Sequence, residues 1–176
     1  MAGDELVDLV DDHDRVVGKA SVRRCLEEGL LHRAVAVLVV RRSGKIVLQQ
    51  RSRKDAWHPG LWTISCTGHV RKGESYEVAA VRELSEELGL RSNVEAVKKY
   101  RLPAISDGGL SEVEWVTLFT CETDEPCTVD PVELEAVTEV ARPEMQKVLH
   151  EWPLTPDARL ILADYFRSQL QNRSHD

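Results

Sequence analysis

The sequence predicts an α/β fold in which helices pack on a mixed β-sheet. Short β-like runs alternate with helical segments along most of the 176 residues. Residues 34–40 form an unbroken aliphatic run, which is typical of a strand that is buried on both faces. Residues 75–88 instead place apolar side chains at helical spacing. Strands and helices that alternate in this way indicate a layered α/β domain.

The first half of the chain predicts two hairpins, a helix and a further strand. The predicted elements are, in chain order, strands at 5–10 and 16–19, a helix at 21–29, strands at 34–40 and 45–50, an aromatic loop at 57–62 and a strand at 62–66. Polar or glycine-containing turns separate the paired strands. The first half of the chain is therefore predicted to form its hairpins before the long helix begins.

The second half begins with the helix at 75–88. Its apolar positions Val78, Val81, Leu84 and Leu88 predict a buried stripe, and Gly89 stands where a left-handed C-cap is expected. The remaining predicted elements are strands at 94–102 and 112–120 and helices at 143–152 and 156–170, each helix with a proline near its first turn. Since no internal repeat or linker divides the chain, we expect a single domain over residues 1–170 and a flexible tail at 171–176.

Composition limits the classes of partner. The chain has 23 Lys and Arg against 30 Asp and Glu, a formal charge of -7, which disfavours long nucleic acid and anionic lipid. Its longest aliphatic run is far shorter than the roughly 20 residues of a spanning helix, and the acidic N-terminus resembles no signal peptide. We therefore expect a soluble cytoplasmic protein with no membrane partner. The sequence does not indicate an oligomeric state.

Three glutamates share one face of the long predicted helix. Glu83, Glu86 and Glu87 stand at i, i+3 and i+4, and we expect them opposite the apolar stripe. Like charges at these spacings repel, and a divalent cation would relieve the repulsion. Mg²⁺ or Mn²⁺ prefers such oxygen ligands and can bridge to a bound diphosphate. A solvated acidic surface is the alternative for these three residues taken alone.

The wider spacing around the helix carries a family resemblance. Gly68, Glu74 and the run from Arg82 to Leu90, with its glutamates and its Leu88-Gly89-Leu90 end, resemble the complete signature of the Nudix family. That resemblance implies an α/β/α sandwich with a mixed sheet. It also implies a loop-helix-loop metal site that hydrolyses the phosphoanhydride of a small organic diphosphate, of nucleoside or isoprenoid type.

The same resemblance implies roles for individual residues. Glu86 and Glu87 would be the principal metal ligands, and Glu83 a further ligand or a base that orients water. Glu74 and Arg82 would hold the loop on the helix, and Gly68 would mark where a backbone carbonyl approaches the ion. A further carboxylate from outside the signature is expected, and the candidates are Glu112, Glu114 and Glu139.

Short segments between Leu6 and Trp152 carry a second resemblance. They are residues 29–34, residues 48–51, residues 59–63, the pair Gly68-His69, and Glu112 with Glu114. Their order and spacing resemble the branch of the family that includes type I isopentenyl diphosphate isomerase. This resemblance implies a metal site at His32, His69, Glu112 and Glu114, a diphosphate site at Arg51 and Lys54, and an aromatic cover at Trp152.

Two positions depart from the isomerase pattern. Cys25 stands where the isomerase has one more histidine, and Thr67 stands where it has its catalytic cysteine. Cys66 is adjacent, but neighbouring residues on a strand point to opposite faces. Loss of the cysteine beside an intact acidic helix favours a hydrolase. The alternatives are an isomerase that acts through Cys66 and Glu114, and an inactive module that binds a nucleotide or a protein.

Overall fold

A mixed nine-stranded sheet is the centre of the computed structural model, which describes residues 5–129 and 134–172. The elements are β1 (Leu6–Val10), β2 (Val16–Ser21), α1 (Val22–Glu28), β3 (His32–Val40), β4 (Ile46–Arg51), β5 (Trp62–Ile64), β6 (Cys66–His69), α2 (Tyr76–Leu88), β7 (Glu95–Arg101), β8 (Ile105–Asp107), β9 (Leu110–Glu112), β10 (Glu114–Glu122), β11 (Leu134–Val140), α3 (Met145–Glu151) and α4 (Pro156–Asn172). Strands β8 and β9 form a separate two-stranded sheet.

Strand β3 organises the large sheet. It pairs in parallel with β10 along its whole length and antiparallel with β1, β4 and β6. Alternate β3 residues enter different cores: Ala34, Ala36 and Leu38 pack with α3 and α4, whereas Val35 and Val37 pack with α2. The predicted strand with two buried faces and the α/β architecture are both confirmed.

Helix α2 turns a different face to the sheet from the one that the sequence pattern predicted. Leu84 and Leu88 are buried as expected, but Val78 and Val81 are 58% and 40% exposed. Their places in the core are taken by Ala79 and Ala80, because small side chains let the helix approach the sheet closely. The predicted stripe is therefore wrong at its two valines.

This rotation changes the setting of the acidic residues. The side chain of Glu83 is 12% exposed and lies one turn after the buried Ala79 and Ala80, whereas that of Glu86 is 48% exposed. The expectation that all three glutamates lie opposite the apolar stripe is wrong. Glu83 and Glu87 face the sheet, and Glu86 faces outward.

Two predicted strands are interrupted. The strand predicted at 62–66 is divided into β5 and β6 at Ser65, whose hydroxyl accepts from the Val39 amide at 2.8 Å and donates to the Val47 carbonyl at 2.5 Å. The strand predicted at 112–120 is divided at Val113, so Glu112 ends β9 and Glu114 begins β10. Both breaks lie beside the candidate site residues.

The C-terminal helices cover one face of the sheet. A short 3₁₀ turn at Arg142–Glu144 leads into α3, and α4 continues to Asn172. Residues 171 and 172 are therefore helical and not part of a tail, and the rest of the expected tail lies outside the described residues.

In the described part of the chain, none of the helices combines the length and apolar character needed to cross a membrane.

The left-handed C-cap of α2 gives a test of the fold. Gly89 has φ 66°, and a Cβ there would lie 3.0 Å from the Thr128 Cβ. We expect Gly89→Ala to lower the free energy of unfolding by about 2 kcal/mol, from backbone strain plus the contact. Gly44→Ala is the matched control, since Gly44 has φ 81° and nothing within 4 Å, and should cost about 1 kcal/mol. Urea denaturation measures both, and equal losses would exclude the Thr128 contact.

Candidate active site

Strand β6 separates two groups of polar side chains. Cys66 pairs with Val37 and faces α2, whereas His69 pairs with Ala34 and faces the opposite side of the sheet. We call Cys66, Glu83 and Glu87 the helix-side cluster, and His32, His69 and Glu114 the histidine cluster. The two clusters therefore lie on different faces of β6.

Glu87 is held in place from two directions within the helix-side cluster. Its Oε2 accepts from the Gln49 side-chain amide at 3.1 Å and from the Thr67 backbone amide at 3.3 Å. The Cys66 thiol also contacts this carboxylate. Gln49 has an exposed fraction of 1%, and its Oε1 has no hydrogen-bond partner. The carboxylate of Glu87 is thus fixed against the β4 and β6 strands.

Gly68 allows Glu83 to reach β6. A Cβ at Gly68 would lie 2.1 Å from the Glu83 carboxyl carbon, so no other residue fits there without moving this carboxylate. The glycine of the signature therefore has a direct steric role. Its expected part in presenting a carbonyl to an ion stays a prediction.

Arg82 connects the loop to the helix. Its guanidinium donates to both Glu74 oxygens at 2.9 Å, to the His69 carbonyl at 3.0 Å and to Glu83 Oε1 at 2.5 Å. Glu86 lies 3.2 Å from the same group. Glu74 also accepts from the Arg71 amide at 2.9 Å. These contacts are the ones expected of residues that hold the loop on the helix.

Burial shifts the titration of the helix-side cluster. It raises the pKa of Glu83 to about 7 and that of Glu87 to about 8, and the charge of Glu83 adds to the second shift. Burial, followed by the charges of Glu87 and Glu83, also raises the pKa of the Cys66 thiol well above its usual range. A bound cation would favour the ionised carboxylates, so the donor set fits a hard divalent metal.

The histidine cluster can also hold a metal. Among the residues that the structure describes, His32, His69 and Glu114 are the one group of three whose ligand atoms lie within 4.8 Å of one another. Glu114 Oε1 lies 3.2 Å from His32 Nε2 and 3.6 Å from His69 Nε2. The Leu30 carbonyl lies 2.8 Å from His32 Nδ1, which directs Nε2 towards the cluster. His32 is fully buried, and Glu114 is the polar group that its Nε2 faces.

The pKa values of the two histidines are shifted in opposite directions. Burial lowers the pKa of His69 to about 4. Burial also acts against the charged form of His32, but hydrogen bonds to Cys25 and Glu114 outweigh it and raise the pKa of His32 to about 11. Cys25, at the position where the isomerase has a histidine, therefore contacts His32 directly.

Glu112 and Glu139 were expected as candidates for a further carboxylate of the site, but neither belongs to the two clusters. Glu112 is separated from Glu114 by the break at Val113, and its Oε2 accepts from the Trp57 indole at 3.2 Å. The prediction that one strand carries both glutamates is therefore wrong, and a metal-binding role for Glu112 stays a prediction. Glu139, on β11, lies 2.8 Å from Arg41 and 3.8 Å from Lys45 in the turn between β3 and β4, so its carboxylate is already paired.

The three residues expected to bind substrate differ in their contacts and exposure. The Arg51 guanidinium donates to the Trp57 carbonyl at 2.9 Å and to Asp55 at 2.5 Å. Lys54 is exposed. Trp152 packs on Trp62 with ring centroids 4.9 Å apart and borders the core beneath α4. Their roles in binding stay predictions.

Sequence reasoning missed two residues of the site. Gln49 could have been noticed as a polar residue in a predicted strand, but only the structure brings it to Glu87. Asp157 lies in the first turn of α4, and its charge acts on both Glu112 and Glu114. No signature marks either residue, because the contacts join segments that are distant in the chain.

The fold and the site define an α/β protein in which a glutamate-bearing helix packs on a mixed sheet. Residues 30–165 match the model of the NUDIX domain. The chain belongs to the Nudix family.

Relatives carry two kinds of name. The chain is 40% identical over 116 residues to an isopentenyl-diphosphate Delta-isomerase of Serratia proteamaculans, a match that covers 66% of this chain and 65% of that protein. It thus spans just under two thirds of that relative's length. It is also 30% identical over 162 residues to the uncharacterized Nudix hydrolase PA4841 of Pseudomonas aeruginosa, covering 92% of this chain and 93% of the other.

A solved structure agrees on the fold. The structure of DR0079 from Deinococcus radiodurans superimposes with a TM-score of 0.76 at 18% identity, covering 91% of this chain and 98% of the other.

The raised pKa of Glu87 predicts how stability depends on pH without metal. The folded protein keeps a proton on Glu87 up to about pH 8, whereas the unfolded chain releases it near the ordinary value of 4.5. Wild-type stability should therefore fall between these values as pH rises. In EDTA, Glu87→Gln should gain about 2 kcal/mol relative to wild type between roughly pH 5 and 8, as measured by urea denaturation. Glu77→Gln should follow wild type, and parallel profiles for all three proteins would contradict the prediction.

Proposed function

We propose that the protein is a metal-dependent hydrolase that cleaves the phosphoanhydride of a small organic diphosphate. The Nudix fold and the isomerase-named relatives support a diphosphate-related function in general. The observation that carries the choice of hydrolase is the burial of the Glu83 and Glu87 carboxylates together against β6, with Gly68 making room for them. Buried acids without a structural need for their charge are typical of a catalytic site.

The helix-side residues fit a divalent ion. Glu83 and Glu87 would hold Mg²⁺ or Mn²⁺ with a carbonyl at Thr67 or Gly68, and Glu86, which faces outward, would become a ligand only if its side chain turned towards them. When bound, the metal would activate water and neutralise charge on the phosphates. The buried carboxylates and the unpartnered Gln49 Oε1 provide oxygen donors at this place.

The protein's own side chains then position and accept protons. Gln49 and the Thr67 amide fix the Glu87 carboxylate, and Arg82 fixes that of Glu83. The ionised Glu83 carboxylate, packed against β6 at Gly68, would accept a proton from the attacking water. We therefore assign Glu83 as the base, with Glu74 and Arg82 as its support.

The opposite face of the sheet would bind the rest of the substrate. His32, His69 and Glu114 would form a second metal site, with Glu112 nearby. Arg51 and Lys54 would contact the diphosphate, and Trp152 would contribute an aromatic surface.

An isomerase is the second candidate, and the names of the relatives favour it. Such an enzyme needs an acid and a base on opposite sides of one double bond. Cys66 and Glu114 lie on different faces of β6, and Thr67 occupies the position on the Glu114 side. The raised pKa of the buried thiol would suit an acid, but the intervening strand keeps it from a substrate beside Glu114.

Glu87→Gln tests the hydrolase. Phosphate release from the best substrate in a panel of nucleoside and isoprenoid diphosphates should fall at least about 100-fold, because a charged oxygen donor is lost. Glu77→Gln, an exposed change on the same helix, should leave the rate unchanged. Phosphorus NMR measures the release. Binding without turnover that survives Glu87→Gln would instead support an inactive binding module.

Cys66→Ala separates the two enzymes. A hydrolase should keep its rate within about fivefold, since only a thiol contact to Glu87 is lost. Proton NMR of isopentenyl diphosphate follows migration of the double bond in the same samples. Migration that is abolished in Cys66→Ala would overturn the hydrolase and establish the isomerase.

A further inference from the structure

The connection between β10 and β11 contacts the C-terminal end of α2. Residues 123–128, which we call the capping segment, contain neither helix nor strand. The Thr128 amide donates to the carbonyl of Leu88, the last residue of α2, at 2.8 Å. The last four carbonyls of a helix have no partner within it, so the segment satisfies one of them. The capping segment therefore contacts the helix directly beside Glu87.

One buried arginine holds the capping segment. The Arg41 guanidinium donates through Nη1 to the Thr123 carbonyl at 3.0 Å and to the Glu125 carbonyl at 2.6 Å. Its Nη2 donates to Cys127 Sγ at 3.4 Å, and its Nε donates to Glu139 on β11 at 2.8 Å. A guanidinium is planar and carries five donors in a fixed arrangement. A single side chain therefore binds three parts of the segment and a neighbouring strand together.

The burial of Arg41 distinguishes it from its neighbour. Arg41 lies in the turn between β3 and β4 and is 8% exposed. Burial of a charged side chain is costly unless the charge is paired and hydrogen-bonded. Arg42 approaches the same segment, 3.8 Å from Asp124, but its side chain is 78% exposed. An exposed ion pair of this kind contributes little to stability, so Arg42 is a matched control for Arg41.

Glu87 depends on the position of its end of the helix. Its carboxylate meets Gln49 of β4 and the Thr67 amide of β6. Glu87 stands one residue before the end of α2, and helix ends open more easily than helix interiors. Glu83, one turn earlier, is instead held by Arg82. A loose helix end would therefore move Glu87 and leave Glu83 in place.

We propose that Arg41 is a positioning residue for Glu87, which it fixes by holding the capping segment against the end of α2. The inference rests on the proposed function only in giving Glu87 a part in phosphate release. A misplacement of about 1 Å in the reacting groups can cost about 100-fold in rate. A side chain that acts through the capping segment can therefore control the reaction.

Amide hydrogen exchange tests this placement without metal or turnover. We would compare wild type, Arg41→Lys and Arg42→Lys by NMR, since lysine keeps the charge but loses the fork of donors. In Arg41→Lys, the Thr128 amide at the helix end and the Thr67 amide at the carboxylate should exchange about tenfold faster. The Arg71 amide, in the loop that Arg82 holds, should not change. Arg42→Lys should match wild type at all three amides.

The three amides separate positioning from a general loss of stability. Equal acceleration of all three in Arg41→Lys would make Arg41 a purely structural residue and overturn the proposal. Faster exchange at Thr128 with no change at Thr67 would also overturn it, because Glu87 would then be independent of the segment. Cys127→Ala removes one contact of the guanidinium and should accelerate the Thr128 and Thr67 amides to a smaller extent. That variant decides the matter if Arg41→Lys does not fold.

Kinetics connects the placement to the reaction. In Arg41→Lys, kcat for phosphate release should fall about tenfold with KM little changed, but by less than about twofold when Glu87→Gln is already present. The two changes should not add, because they act through one carboxylate. Equal losses in both backgrounds would overturn the proposal. Absence of phosphate release in wild type would instead contradict the proposed function, and the amide exchange would still decide whether Arg41 positions Glu87.

Discussion

The close approach of α2 to β6 is the constraint on which the rest of the site depends. It requires a glycine at position 68, because the Glu83 carboxyl occupies the space where a Cβ would lie. It also requires small residues on the helix, and Ala79 and Ala80 are fully buried at this contact. Once the helix is this close, the Glu83 and Glu87 side chains lie partly buried between it and β6. The close packing of α2 on β6 is therefore also the cause of the raised pKa values of Glu83 and Glu87.

Arg82 offsets part of the cost of burying these carboxylates, because its positive charge lies beside them. Its side chain is 15% exposed and contacts Glu74, Glu83, Glu86 and the His69 carbonyl. Removing one partner of a buried ion pair costs about 3–5 kcal/mol, because the other charge is left unpaired. The same guanidinium joins the loop before the helix to the strand that carries His69. The network thus holds α2 and the loop before it against the end of β6, and it also fixes the Glu83 and Glu74 carboxylates.

The division of the site by one strand has a chemical consequence. The helix-side cluster lies on the α2 face of β6, and the histidine cluster lies on the other face. Under the proposed function, the hydrolytic residues and the residues that bind the rest of the substrate would therefore lie on different surfaces. Such a fold could change the group that it binds without changing the acidic helix.

The sequence by itself determined the α/β class, the long helix with its Gly89 cap, the buried strand β3 and the signature residues, because these depend on local periodicity and fixed spacing. Tertiary structure alone decided which face of α2 is buried, where the strands at Ser65 and Val113 break, and that Cys66 and His69 face opposite sides. It also brought the Gln49 side chain and the Thr67 amide to Glu87. These contacts join distant segments, and close packing selects among helix faces that a hydrophobic pattern leaves nearly equivalent.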